Sequence, residues 1–124
     1  VLFRSGGSIR STGILSVLNT RFRGNRASDQ GGGIYFYEGA VTLQGNLFAN
    51  NRADTGGAIY GVLPEVAGLF ASTANRFVGN RAVTSGGALA LGCVEDLTAT
   101  SVFEALNSFS GNTSPQVDEP IWCP

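Results

Sequence analysis

The residues best suited to chemistry in this chain are Asp29 and Asp54, each two positions before a glycine pair, Gly31-Gly32 and Gly56-Gly57. Two neighbouring carboxylates can divide general acid and base work or share a divalent cation. Arg26 and Arg52 accompany them, but the third matching place holds Thr84, so the carboxylate row stops at two. The pair therefore reads as solvated turn charges, neutralised locally by the arginines. Glu95-Asp96 reads as an exposed loop pair. The sequence has no Lys and no His, which removes Ser/His/Asp and Cys/His catalysis, histidine-ligated metals, Schiff-base chemistry and the P-loop lysine. The expectation is no catalytic residue, no metal and no cofactor in this segment. Cys93 and Cys123 are compatible with a disulfide or with two separate thiols, since no His or third Cys completes a metal site. Asn112-Thr113-Ser114 matches the N-glycosylation triplet but also falls on a repeat position described below.

A chain of 124 residues is one unit. Eight arginines against nine acidic residues give a net charge of −1, so the composition carries no electrostatic footprint for nucleic acid or anionic membrane. No apolar run approaches the ~18 residues of a membrane span. Eighteen glycines with 43% hydrophobic residues and four prolines point to a turn-rich β protein, not to collagen or a disordered chain. The lack of Met marks a piece of a longer protein or a processed product. Residues 1–5, Val-Leu-Phe-Arg-Ser, fit no repeat position and read as a non-native leader, followed by repeats over 6–114 and a tail over 115–124.

Two interleaved markers organise the repeats. Phe-x-x-Asn occurs at Phe22 to Asn25, Phe48 to Asn51, Phe77 to Asn80 and Phe109 to Asn112, with steps of 26, 29 and 32 residues. Gly-Gly, a small residue and an aliphatic recur at 6–9, 31–34, 56–59 and 86–89. Between them the apolar residues alternate with period two, the signature of strands, and no helical period is sustained. Three short strands per unit are expected: one after Gly-Gly, one at Leu15/Val17 or Val41/Leu43, and one holding the Phe. Identical residues returning once per unit fit coils stacked in parallel register better than hairpins. The reading is an all-β, right-handed parallel β-helix of about four coils of 25–32 residues. Asn25, Asn51, Asn80 and Asn112 would then form an amide ladder, with Phe22, Phe48, Phe77 and Phe109 stacked beside it. Gly61 to Gly68 and Cys93 to Thr100 read as loops leaving the solenoid.

Phe-x-x-Asn paired with Gly56-Gly57-Ala58-Ile59 resembles the repeat pair of the polymorphic outer membrane proteins. Those autotransporter-like surface proteins have β-helical passenger regions that serve in adhesion. The resemblance runs over roughly residues 6–114 and implies outer-membrane placement. The functional expectation is a structural or adhesive segment of a secreted or surface-displayed protein, meeting a glycan or protein at a cell surface, with no nucleic-acid partner. The alternative is a fragment of a carbohydrate-active, pectate lyase-like β-helix enzyme whose active-site coils lie elsewhere. Tyr35 and Tyr60 share an outward register, and with Tyr37 and Glu38 they form a candidate ligand platform. The competing reading is cross-strand stabilisation of the sheet.

Overall fold

A computed structural model describes residues 2–5, 7–37, 40–62, 70–92, 107–114 and 121–122. The path repeats itself coil by coil. The first coil comprises β1 (Leu2–Ser5), β2 (Ile9–Ser11), β3 (Leu15–Leu18) and β4 (Arg21–Arg23). The second comprises β5 (Arg26–Gln30), β6 (Ile34–Tyr37), β7 (Val41–Gln44) and β8 (Leu47–Ala49). The third comprises β9 (Arg52–Thr55), β10 (Ile59–Val62), β11 (Phe70–Thr73) and β12 (Arg76–Val78). The fourth contains β13 (Arg81–Ser85), β14 (Leu89–Gly92) and β15 (Ser108–Ser110), and β16 (Ile121–Trp122) lies on a fifth turn. Among the described residues every strand pairing is parallel and joins a strand to its counterpart one coil away. The result is a parallel β-helix with four walls: β1-β5-β9-β13, β2-β6-β10-β14-β16, β3-β7-β11 and β4-β8-β12-β15.

Four strands per coil replace the three expected. The additional one, β5, β9 or β13, begins at the arginine of Asn-Arg-Ala and ends before Gly-Gly, so Asp29 and Asp54 stand in strands instead of a turn. Its pattern is hard to see in the sequence for a physical reason. Ala27, Ala53 and Ala82 are its inward apolar residues, and a bulge interrupts the register between the arginines and the far end of the strand. Strand pairing also enters the two stretches set apart from the repeats: Leu2–Ser5 pairs with β5, and Ile121–Trp122 with β14. Gly61 and Val62, expected in a loop, end β10. Residues 63–69 and 93–106 lie outside the described residues.

The corners follow from backbone sterics. Left-handed residues recur at equivalent places, Asn19, Gly45 and Ala74 before the fourth wall, then Gly24, Asn50, Gly79 and Gly111 after it. Gly and Asn tolerate this conformation, whereas Ala74, at φ 55°, does so at a cost. The second glycine of each pair serves a different need. A Cβ on Gly57 would lie 2.1 Å from the Gly87 carbonyl oxygen of the next coil, so only a residue without a side chain lets the coils close there.

Inside, residues stack on their own kind. Phe22, Phe48, Phe77 and Phe109 form a column with ring centroids 4.8, 4.9 and 5.0 Å apart and planes within 8° of parallel. Ile34, Ile59 and Leu89 form a second column, fully buried. Phe36 needs the room left by Gly61, its register partner: a Cβ there would fall 2.0 Å from the ring. Burial of this kind, at roughly 25 cal/mol per Å² of apolar surface, is the main stabilising term of the fold.

Candidate functional site

Two polar ladders run through the described coils. The first joins Asn25, Asn51, Asn80 and Asn112 at the corner after the phenylalanine column. The Asn51 side-chain Nδ2 donates to Asn80 Oδ1 at 2.9 Å and to the Phe22 carbonyl at 3.0 Å. Its Oδ1 accepts from the Asn25 backbone N–H and from Asn25 Nδ2, both at 3.0 Å. Asn80 repeats the pattern with Asn112 and the Phe48 carbonyl. Each inner amide thus has its oxygen and both of its N–H groups engaged, and among the described residues no buried side-chain polar atom lacks a partner. Asn112 Nδ2 donates to the Phe77 carbonyl at 2.8 Å and the residue is buried. In the folded chain the nitrogen that would carry a glycan is therefore already engaged.

The second ladder is absent from the sequence reading. Asn46, Asn75 and Asn107 occupy the corner before the column: Asn46 Nδ2 donates to Asn75 Oδ1 at 3.0 Å, and Asn75 Nδ2 to Asn107 Oδ1 at 3.0 Å. In the first coil Thr20 takes the place, its backbone N–H donating to Asn46 Oδ1 at 2.8 Å. Ser72, buried where the coils below place Leu43 and Val17, supports this ladder by accepting from Asn75 Nδ2 at 2.9 Å. The signal was available: Asn stands two residues before Phe48, Phe77 and Phe109, so the full repeat is Asn-x-Phe-x-x-Asn in three of four copies.

The outward rows have a different character. Tyr35 and Tyr60 stack on adjacent coils, centroids 5.6 Å apart and planes 6° from parallel. Arg10, one coil earlier in the same register, sets its guanidinium carbon 5.5 Å from the Tyr35 ring centroid. Ala90, the next position in the row, is fully buried. Burial pushes the Tyr60 hydroxyl above the ordinary phenol range; Tyr35 and the Asp29 carboxylate push the same way, and a hydrogen bond with Gln30 opposes them. The column therefore presents ring edges and hydroxyls, since its ring faces are turned towards each other. Tyr37 is exposed at the end of β6. Glu38, Cys93 and Cys123, named in the sequence reading, lie outside the described residues.

Asp29 and Asp54 each precede by one the register partners Gln30 and Thr55. Asp54 Oδ1 accepts from the Thr84 hydroxyl at 2.9 Å, so the row that began as carboxylates continues as a hydroxyl. Among the described residues no group of three His, Cys, Asp or Glu side chains could hold a metal ion, and no helix is long and apolar enough to cross a membrane.

Comparison with known proteins places these coils. Residues 19–37 and 47–62 match the Chlamydia polymorphic membrane protein repeat. Each match covers one Phe-x-x-Asn corner, the following first-wall strand and the strand after Gly-Gly. No curated protein and no solved structure matches the chain. Two stretches of the β-helix are thus similar to the Chlamydia polymorphic membrane protein repeat.

Proposed function

We propose that this chain is a passive β-helical segment of a surface-displayed protein, holding outward side chains in fixed rows for adhesion and carrying out no catalysis itself. The observation that supports this most is the use made of its polar groups. The buried amides are bonded to one another along the solenoid, which gives them a structural role, and the outward groups form rows along the walls. The match to a membrane-protein repeat supports placement at a cell surface or outer membrane. The Tyr35–Tyr60 column is the proposed contact for a glycan or protein, with its hydroxyls and ring edges flanked by Arg10, Asp29 and Gln30.

The test is binding of the purified chain to a glycan array and to cultured host cells, compared with a Tyr35→Ala/Tyr60→Ala variant whose fold is checked by circular dichroism. The proposal expects binding by the parent and its loss in the folded variant. Equal binding by both would remove the column from the adhesive surface.

A further inference from the structure

Seven of the eight arginines stand on two adjoining walls, Arg4 among them in β1. Arg26, Arg52 and Arg81 are direct register partners on the first wall, all exposed, with Ala27, Ala53 and Ala82 turned inward beside them. Arg21, Arg23 and Arg76 are exposed on the fourth wall, and Arg21 and Arg76 both pair with Leu47. The described acidic residues on these walls are Asp29 and Asp54, at the opposite end of the first-wall strands; Asp54 is bonded to Thr84. Among the described residues no ion pair joins Arg26, Arg52 or Arg81 to a carboxylate. A net charge of −1 conceals this segregation, because the sum is blind to where the walls put each sign.

Like charges set directly opposite one another on neighbouring strands destabilise a sheet, and an anion lying across them removes that repulsion. The row also leads into a concavity. Arg52 and Arg81, with Ala82, Val83, Thr113 and Ser114, line a hollow of about 350 Å³, and Thr113 bridges to Arg81 as the next rung. At the spacing of parallel strands, ~4.8 Å, the line from Arg26 to Thr113 extends for about 14 Å along the solenoid axis. Guanidinium forks suit tetrahedral oxyanions, to which they can donate two parallel hydrogen bonds.

We propose that the arginine row on the first wall, bordered by the arginines of the fourth, is a binding site for a linear sulfated polysaccharide lying along the axis of the β-helix. This goes beyond the adhesive reading, whose tyrosine column occupies the second wall, and the two can fail separately. A glycan is favoured over nucleic acid by what surrounds the arginines. The outward neighbours on these strands include Ser28, Val78, Val83, Ser108 and Ser110, whereas Phe22, Phe48 and Phe77 are turned into the core, so among the described side chains the row offers no aromatic platform for bases.

The experiment is calorimetric titration of the whole chain with a heparin-derived hexasaccharide over a series of NaCl concentrations. Its N-desulfated counterpart and a duplex DNA of equal charge serve as comparison ligands, and the Arg26→Gln/Arg52→Gln/Arg81→Gln variant as comparison protein. Melting and circular dichroism establish that the variant is folded. The proposal expects the variant to bind the sulfated sugar about 10-fold or more weakly, with the log–log salt slope reduced by about 2 to 3 as three contacts are lost. The Tyr35→Ala/Tyr60→Ala variant retains binding to the hexasaccharide. Unchanged affinity in the arginine variant, no binding by the parent at low salt, or equal affinity for the DNA or the desulfated sugar would each overturn the proposal.

Discussion

Replacing Asn51 by Ala tests the ladder at a rung where the surroundings are fully specified. The side chain is 1% exposed and makes four hydrogen bonds of 2.9–3.0 Å. Asn80 Oδ1 keeps the Asn51 backbone N–H as a donor at 3.0 Å, and the Asn25 side chain is only partly buried, so water can reach it. The Phe22 carbonyl and the Asn25 backbone N–H lose that side-chain partner. At about 1–3 kcal/mol for a buried group left unsatisfied, the loss is about 3 kcal/mol. In urea, with a slope near 2 kcal/mol per M, the midpoint falls by roughly 1.5 M. Gln44→Ala, on the exposed side of β7, is the control and stays within about 0.5 kcal/mol. Asn51→Asp sharpens the test. Its second oxygen would face Asn80 Oδ1 and the Phe22 carbonyl, both acceptors, in a buried site. That arrangement favours the protonated acid and raises its folded pKa above the unfolded value of about 3.9. The favourable contribution is then present below about pH 4 and is lost as pH rises through the folded pKa. The Asp variant is therefore closest to the parent in acid and falls furthest behind near neutrality. Equal midpoints for Asn51→Ala and Gln44→Ala, or a pH-independent deficit in Asn51→Asp, would refute the reasoning.

Phe77→Ala empties a place stacked 4.9 Å from Phe48 and 5.0 Å from Phe109, and is expected to cost about 3–5 kcal/mol in a denaturant melt. Ala74→Gly relieves a left-handed residue at φ 55°, so it should stabilise by about 0.5–1 kcal/mol and raise the melting temperature. The Tyr60 phenol, raised mainly by burial, stabilises the fold below the unfolded value of about 10, and that contribution is lost as pH rises through the higher folded value. Melting followed from pH 9 to about 11.5 should accordingly decline less steeply in Tyr60→Phe than in the parent.

The stacking of coils was legible because it repeats. Phe-x-x-Asn and Gly-Gly recur in phase, and residues that return once per coil have to be neighbours if the coils are parallel. The first-wall strand was not legible. Its inward side chain is an alanine and its register slips at a bulge, so no apolar alternation announces it. The second amide ladder was hidden by Thr20, which meets Asn46 through its backbone N–H and breaks the pattern in the first copy. The tyrosine pair could be placed by strand alternation, but the contact of Arg10 with Tyr35 required knowing that an extended cationic side chain lies over the neighbouring ring. The arginine row is the clearest case of information lost in composition. Arg26, Arg52 and Arg81 were visible in Asn-Arg-Ala three times over, yet their joint field depends on being in register at one end of a wall whose aspartates stand at the other.

The central claim is parallel register between coils, and proton contacts in solution report it directly. A NOESY spectrum of the labelled chain should link the rings of Phe22, Phe48 and Phe77 in series and the Asn51 side-chain amide to Asn80, with no close Hα–Hα pairs between successive strands. Strong Hα–Hα contacts between Ile34–Tyr37 and Val41–Gln44, the mark of an antiparallel hairpin, would contradict it.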